Sequence, residues 1–196
     1  MAFVVLEGFS GTGKTTIANM FEKKNWLHIT ESAHAIANEI PVADRGNVYS
    51  DYSLIGATLR TSGIIAGNRR KRNIVSEGYF ISDLAYAMIR QKQGLSEAAS
   101  EFFPIVGHVI KKKKLQPDLY VLLTASDRSI LKRQKLKSDR DRLTNKFFRD
   151  NFNTIIMDLH QLFGHKNIVI VSTDKGRDAT YRQIVDIMQK RRLRVF

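Results

Sequence analysis

Eight residues near the start of the chain read Gly8-Phe9-Ser10-Gly11-Thr12-Gly13-Lys14-Thr15. An apolar run, Phe3-Val4-Val5-Leu6, precedes them, and an amphipathic segment from Thr15 to about Lys24 follows. The order of strand, G-x-x-x-x-G-K-T loop and helix is typical of a P-loop, in which backbone N–H groups and a helix N-terminus surround phosphate groups. The stretch therefore predicts a binding site for a nucleoside triphosphate.

The residue types in this loop each fit a role at a phosphate site. Glycines let the backbone curl so that its N–H groups point inward. The lysine is expected to reach the β- and γ-phosphates, and the threonine after it to hold Mg²⁺, so ATP and Mg²⁺ are the predicted cofactors. The predicted ATP-binding residues of the loop are Gly8, Ser10, Gly11, Thr12, Gly13, Lys14, Thr15 and Thr16, with Thr15 as the metal ligand.

Length and composition predict one globular domain spanning residues 1–196. The hydrophobic fraction is 43% and the charged fraction 26%, which are ordinary values for such a domain. No apolar run approaches the roughly 20 residues that a membrane span needs, and the first strand begins at once, without room for a targeting segment. The chain has no cysteine, which excludes a disulfide framework. We therefore expect a cytoplasmic protein without a membrane segment, and a homodimer as one assembly that it can form.

The net charge is strongly positive. The chain has 32 Lys and Arg against 19 Asp and Glu, a net charge of +13. Many of these cations lie in three clusters: Arg69-Arg70-Lys71-Arg72, Lys111-Lys112-Lys113-Lys114, and Lys190-Arg191-Arg192 with Arg194. Each cluster falls near a predicted helix end, where solvated cations interact well with the helix dipole. Together they favour a second interpretation, a polyanionic partner such as nucleic acid bound through a basic surface.

Apolar runs alternate with helical patterns along the whole chain. Five predicted strands are Phe3-Leu6, Trp26-Ile29, Asn73-Val75, Leu119-Leu123 and Asn167-Val171. Alternating strands and helices indicate an α/β fold, and uniformly apolar strands indicate a parallel sheet covered on both faces. The stretch from Pro41 to Asp51 is predicted to be a loop near the site, and a long helix is expected from Tyr52 into the Arg69 cluster.

Four further points of the sequence carry a resemblance to a known family. Glu7 stands just before Gly8, Thr30-Glu31 ends the second strand, and Glu77 ends the third. Pro117-Asp118-Leu119-Tyr120-Val121-Leu122 is followed by Arg133 and Arg140-Asp141-Arg142. In this order they resemble the P-loop nucleoside and nucleotide kinases, thymidylate kinases and deoxynucleoside kinases in particular. The resemblance implies a three-layer P-loop kinase fold, with a five-stranded parallel sheet and helices on both faces.

The resemblance also assigns catalytic roles. Phosphoryl transfer needs cations and alignment, because negative charge spreads over the moving group. Lys14 supplies one cation. Arg140 and Arg142 lie in a basic lid at about 135–143 that is expected to close over the phosphates, assisted by Arg133 in ATP binding. Glu77 is the candidate carboxylate that aligns or deprotonates the acceptor hydroxyl or helps to hold Mg²⁺; the alternative is a helix cap.

The predicted acceptor-binding residues are Glu31, Arg60 and Tyr79, with Phe80, Tyr86 and Phe102-Phe103 as further aromatic groups that could stack on a base. Aromatic residues at helical spacing are also typical of a core, and a glutamate at a strand-to-helix junction is common. The sequence departs from the family at two places. Gly78 stands where the family has the arginine of an Asp-Arg or Glu-Arg pair, and no Pro-Gly-Gly follows Glu31.

These features favour two functions and argue against two others. The leading hypothesis is an ATP-dependent kinase acting on a nucleotide or nucleoside acceptor, with a deoxynucleoside monophosphate as first choice. Its closest rival is a kinase of a hydroxyl in DNA or RNA, at a 5′ end or on a hydroxymethylated base, which the charge and the missing arginine favour. A GTPase switch is disfavoured because Asn145-Lys146-Phe147-Phe148 lacks the aspartate of the guanine-specificity motif. A nucleic-acid-binding module without catalysis is disfavoured by the intact Lys14-Thr15 pair.

Overall fold

The computed structural model describes residues 1–32, 48–135 and 146–195. Its single sheet contains β1 (Phe3–Glu7), β2 (Leu27–Ile29), β3 (Ile74–Glu77), β4 (Leu119–Thr124) and β5 (Ile168–Ser172). All neighbouring strands pair in parallel, in the order β2-β3-β1-β4-β5. The predicted five-stranded parallel sheet is confirmed.

The described residues form seven helices: α1 (Lys14–Glu22), α2 (Val48–Asn68), α3 (Phe80–Lys92), α4 (Ala98–Ile110), α5 (Asp127–Lys135), α6 (Lys146–Leu162) and α7 (Arg177–Lys190). Helix α2 starts earlier than the sequence predicted. The expected loop ran to Asp51, but Asp51 lies in the first helical turn, buried and paired with Arg90 of α3. This tertiary contact outweighs the local turn signals. Within the part of the chain that the structure describes, no helix has the length and apolarity to cross a bilayer.

Both faces of the sheet are covered, which explains the uniformly apolar strands. Successive side chains of β1 point to opposite faces. Phe3 and Val5 join a core with residues of α2, α3, α4 and α6, whereas Val4 and Leu6 join a second core with residues of α1 and α7. All four side chains are fully buried. The predicted three-layer architecture is confirmed.

The parallel arrangement gives the sheet two distinct edges. At the carboxyl edge, Leu6 is paired with Glu77 and Glu7 with Leu122, so the two glutamates and the P-loop emerge together. The amino edge carries the residues that lead into each strand. There, Asp118 before β4 accepts hydrogen bonds from Arg69 at 2.8 and 2.9 Å, just after the end of α2.

The buried Asp51–Arg90 pair is expected to hold the start of α2 against the end of α3. Both side chains are at most 5% exposed. Arg90→Met would leave the Asp51 carboxylate buried without its cation, so the free energy of unfolding should fall by about 3–5 kcal/mol in urea denaturation. The double variant Asp51→Leu/Arg90→Met removes both charges and should recover most of the loss. An unchanged urea midpoint in Arg90→Met would show that the pair is not stabilising.

Candidate active site

Glycines shape the P-loop, and at Gly8 a side chain would force its neighbours to shift. Gly8 has φ 145°, and a Cβ there would lie 2.6 Å from both the Leu123 carbonyl oxygen and Thr12 Oγ1. Gly13, directly before α1, has φ 100°, again in the region that favours glycine. The Thr12 hydroxyl donates to the Phe9 carbonyl at 2.8 Å. These constraints place the loop tightly against β4 at the start of α1.

The Lys14 ammonium group lies inside this loop. Its Nζ donates to the Gly8 carbonyl oxygen at 2.8 Å and lies 3.4 Å from Glu31 Oε2, and the residue is 5% exposed. Thr15 and Thr16 are exposed in the first turn of α1, and Ser10 is half-buried in the loop. The loop residues predicted to bind phosphate therefore occur together at the N-terminus of one helix, where the dipole favours anions.

Glu77 links α1 to the second and third strands. Its Oε2 accepts a hydrogen bond from the Thr15 hydroxyl at 2.5 Å, and its Oε1 lies 2.8 Å from His28 Nε2. A hydroxyl and a carboxylate side by side are the hard oxygen ligands that Mg²⁺ accepts, with further ligands from phosphate and water. Thr15 and Glu77 would thus hold Mg²⁺, whose positive charge would offset that of the phosphates.

The charge of Glu77 is maintained by its partners. Burial alone would raise the pKa of Glu77, but the hydrogen bonds from His28 and Thr15, with the charges of His28 and Lys14, outweigh it and lower the pKa. The pKa of His28 is raised, chiefly because of its hydrogen bond to Glu77. The Glu77 carboxylate and His28 imidazolium thus favour each other's charged form.

Two other carboxyl groups, those of Glu7 and Asp83, have pKa values shifted in the opposite direction. Glu7 is fully buried and accepts a hydrogen bond from Ser82; burial and the nearby Asp83 raise its pKa well above the usual range. Asp83, which accepts from Thr58, has its pKa raised to about 7, above all by burial. A polar chain continues from Thr58 Oγ1 to Ser32 Oγ at 2.6 Å. Burial therefore raises the pKa of both carboxyl groups, and the hydroxyl groups of Ser82, Thr58 and Ser32 lie around them.

Gly78 explains one departure from the kinase pattern. The backbone turns at this residue with φ 68°, where a side chain is strained. A Cβ would also lie 3.4 Å from Ser82 Oγ and 4.0 Å from Glu31 Cγ. Glu31 thus borders the turn where the family carries an arginine, and it faces Lys14 across the site.

Arg133 extends from α5 to the P-loop. Its guanidinium donates to the Gly11 carbonyl at 3.2 Å, to the Thr12 carbonyl at 3.4 Å, and to the hydroxyl and carbonyl of Thr173 at 2.8 and 3.1 Å. The structure therefore brings this predicted ATP-binding residue to the loop, where it ties the loop to the end of β5. Arg140 and Arg142 lie outside the described residues.

Two acceptor-binding predictions do not agree with the structure. Tyr79 is 3% exposed and its ring packs edge-on against Phe3 and Phe80, inside the protein and not beside the other candidate residues. Phe80, Tyr86 and Phe102 are likewise buried. Arg60 is exposed on α2, about 200° around the helix from Thr58, which faces the site. The structure does not bring Arg60 to the other candidate residues.

The sequence interpretation missed His28, Ser82 and Asp83. Ser82 and Asp83 carry a usable signal, because they are polar residues inside an otherwise apolar segment, where they must be buried and hydrogen-bonded. Nothing local distinguishes His28. Only the pairing of β2 with β3, which sets His28 opposite Val75, brings its ring to Glu77.

We expect His28→Gln to change the pH dependence of stability. Glutamine keeps a neutral donor but removes the positive charge. The charged His28–Glu77 pair contributes its full stabilisation below the unfolded His pKa of about 6.5. This contribution is lost as pH rises through the raised pKa of His28 in the folded protein. Below pH 4.5 it is lost again, as Glu77 protonates through its lowered folded pKa. Wild type should therefore exceed the variant in unfolding free energy by about 1–2 kcal/mol at about pH 6, but much less at about pH 9.

Thermal and urea unfolding across this pH range measure the difference. The matched control is His108→Gln, at an exposed histidine of α4. A difference between wild type and His28→Gln that does not vary with pH would contradict a charged His28–Glu77 pair.

Comparison with known proteins yields similarity at the level of structure. No protein-family model matches the sequence, and no curated protein matches it. The chain is similar to thymidylate kinase from Candida albicans, with a TM-score of 0.74 and 16% identity over 97% of this chain and 92% of that one. It is also similar to deoxyadenosine kinase from M. mycoides. With dCMP and a flexible dCDP bound, that kinase gives a TM-score of 0.63 at 13% identity, covering 96% of this chain and 98% of that one. With dATP bound, the same kinase gives a TM-score of 0.67 at 13% identity, covering 95% of this chain and 98% of that one. The chain therefore has the P-loop kinase fold that thymidylate kinase and deoxyadenosine kinase share.

Proposed function

We propose that this protein is a kinase that transfers the γ-phosphoryl group of ATP to a nucleotide-type acceptor. One observation carries the proposal: the Lys14 ammonium, the Thr15 hydroxyl and the Glu77 carboxylate meet at the carboxyl edge of the sheet. Open α/β sheets bind their ligands at this edge. A lysine inside the loop and a hydroxyl–carboxylate pair beside it supply the cation and the metal ligands that phosphoryl transfer requires.

The other residues have supporting roles in this proposal. Mg²⁺ would neutralise charge on the phosphates, and Lys14 would stabilise the charge that develops on the moving group. Arg133 keeps the loop in place from the side of β5. Arg140 and Arg142 are proposed to close over the phosphates from the segment at 135–143. Glu31, 3.4 Å from Lys14 Nζ, lies where a carboxylate could orient an acceptor hydroxyl.

The acceptor of first choice is a deoxynucleoside monophosphate. Similarity to a thymidylate kinase supports this choice, and the deoxyadenosine kinase structures contain deoxynucleotides. A second candidate, the hydroxyl of a free nucleoside, is favoured by the buried carboxyl groups of Glu7 and Asp83. Among the described residues, Arg90 is bound to Asp51 and Arg60 faces away, so neither offers a cation to an acceptor phosphate.

A polymeric acceptor is less well supported than the sequence suggested. Its main argument was the basic surface, but the three basic clusters follow helix ends at the amino edge of the sheet. About 16 Å of strand separates that edge from the P-loop. A homodimer and a cytoplasmic location remain proposals of the sequence.

The acceptor proposal is tested by transfer of label from γ-labelled ATP. Deoxynucleosides, their monophosphates, and DNA with 5′ hydroxyls or hydroxymethylated bases are offered in parallel. We expect label on the free monophosphates, and none with Lys14→Ala, because that variant lacks the cation at the phosphates. Lys24→Ala, at an exposed lysine after the same helix, is the control and should retain activity. Label on nucleosides alone would select the second candidate, and label on polymer alone would overturn both. Normal transfer by Lys14→Ala would exclude the P-loop as the ATP site.

Glu77→Gln separates catalysis from ATP binding. The amide is nearly isosteric but loses the negative charge that would hold Mg²⁺. We expect kcat to fall by about 100-fold, with a change of less than about fivefold in ATP affinity by equilibrium titration. Glu97→Gln, at an exposed glutamate before α4, is the matched control. If kcat is unchanged in a folded Glu77→Gln, the carboxylate has a structural role only.

A further inference from the structure

The basic clusters of the sequence all lie towards the amino edge of the sheet, 69–72 and 111–114 on the side of α2 and α4 and 190–192 on the side of α1 and α7. Arg69 follows α2 and binds Asp118 at the start of β4, and residues 111–114 follow α4 before the same strand. Lys190 ends α7 and residues 191–192 follow it; the tail beyond them is anchored where the Val195 carbonyl accepts from Trp26 Nε1 at 3.0 Å, next to β2. Parallel strands place all these points at one end of the sheet.

This edge has little compensating negative charge among the described residues. The lysines and arginines at 70–72, 111–114 and 190–192 are all exposed, as are Lys23 and Lys24 after α1. Asp118 is already paired with Arg69, and Glu22 lies 3.5 Å from His28. A concentration of uncompensated cations produces a positive potential that attracts a polyanion.

A groove at this edge indicates which polyanion fits. Its volume is about 930 Å³, and it runs between the end of α4 and the segment between α6 and β5. Phe103 and Phe163 stack at 5.3 Å along its wall, and Phe103 is 37% exposed. Lys111 and Lys166 lie at the same groove. Exposed aromatic rings beside a row of cations are typical of sites for single strands, whose bases stack while their phosphates bind lysine and arginine.

We propose that the amino edge binds single-stranded nucleic acid, with phosphates along the basic clusters and bases stacked at Phe103 in the groove. An anionic lipid surface would use the cations but not an aromatic groove. The site lies away from the P-loop and does not rest on the proposed kinase activity. It needs no ATP, and both ligands can be bound at once.

The test is fluorescence anisotropy of a labelled mixed-sequence oligodeoxynucleotide with the full chain, without ATP. Lys112→Glu/Lys113→Glu/Lys114→Glu removes cations at the amino edge. Lys175→Glu/Arg177→Glu/Arg182→Glu makes the same change in net charge at exposed positions at the start of α7, towards the carboxyl edge. We expect the first variant to weaken binding at least tenfold, and the second by less than threefold. For single strands, each phosphate contact contributes about 0.7 to the slope of log K against log salt concentration. Loss of three contacts should therefore make this slope shallower by about 2.

Stacking is tested separately with Phe103→Ala. We expect about tenfold weaker binding to the oligonucleotide, because base–aromatic stacking is lost. Phe147→Ala is the matched control, since Phe147 is 38% exposed on another helix. Light scattering on the same samples detects a second copy in the groove: a dimer abolished by Phe103→Ala, with unchanged oligonucleotide affinity, would overturn the stacking site.

Three other outcomes would overturn the proposal as a whole. Equal losses in the two triple variants would show that only net charge matters. No measurable oligonucleotide binding at low salt would remove the site. Binding to phosphatidylserine vesicles in preference to the oligonucleotide would make the basic edge a membrane surface.

Discussion

The close approach of Gly8 to β4 is the contact on which the carboxyl edge depends. A single added Cβ would lie 2.6 Å from the Leu123 carbonyl oxygen, and such contacts cannot be accommodated without moving backbone. Because β1 ends against its neighbour, the loop can return at once into α1, and Lys14 can bond back to the Gly8 carbonyl. Thr15 is then placed beside Glu77, so one backbone contact positions the P-loop, the lysine and the candidate metal ligands together.

Carboxyl groups at this edge have pKa values shifted in opposite directions although they lie close together. Glu77 has charged and hydroxyl partners, which hold its pKa down in spite of burial. Glu7 has a single hydroxyl partner and an acidic neighbour, so burial prevails and raises its pKa. Asp83 lies between these cases, with a pKa of about 7. The same edge thus combines a carboxylate whose partners favour its charged form with carboxyl groups whose burial favours the protonated form.

The features that depend on local chemistry were predictable from the sequence. The P-loop has a fixed spacing of glycines before Lys14, and the five strands are apolar runs that must be buried on both faces. Features that depend on contacts between residues distant in the sequence were not predictable in this way. Tyr79 follows a site residue in sequence, yet its ring packs inward against Phe3. His28 reaches Glu77 only because β2 pairs with β3, and the basic clusters share one edge because all the strands run parallel.

The two ends of the sheet differ, and this has a consequence for how the molecule would work while bound to a nucleic-acid strand. A polymer bound at the amino edge would leave the P-loop facing solvent, roughly the length of one β-strand away. Such a tethered molecule would act on compounds that diffuse past it, and the polymer would fix where in the cell that happens without entering the reaction. Its binding to the nucleic acid would then depend on ionic strength, whereas its turnover would depend on the supply of small molecules.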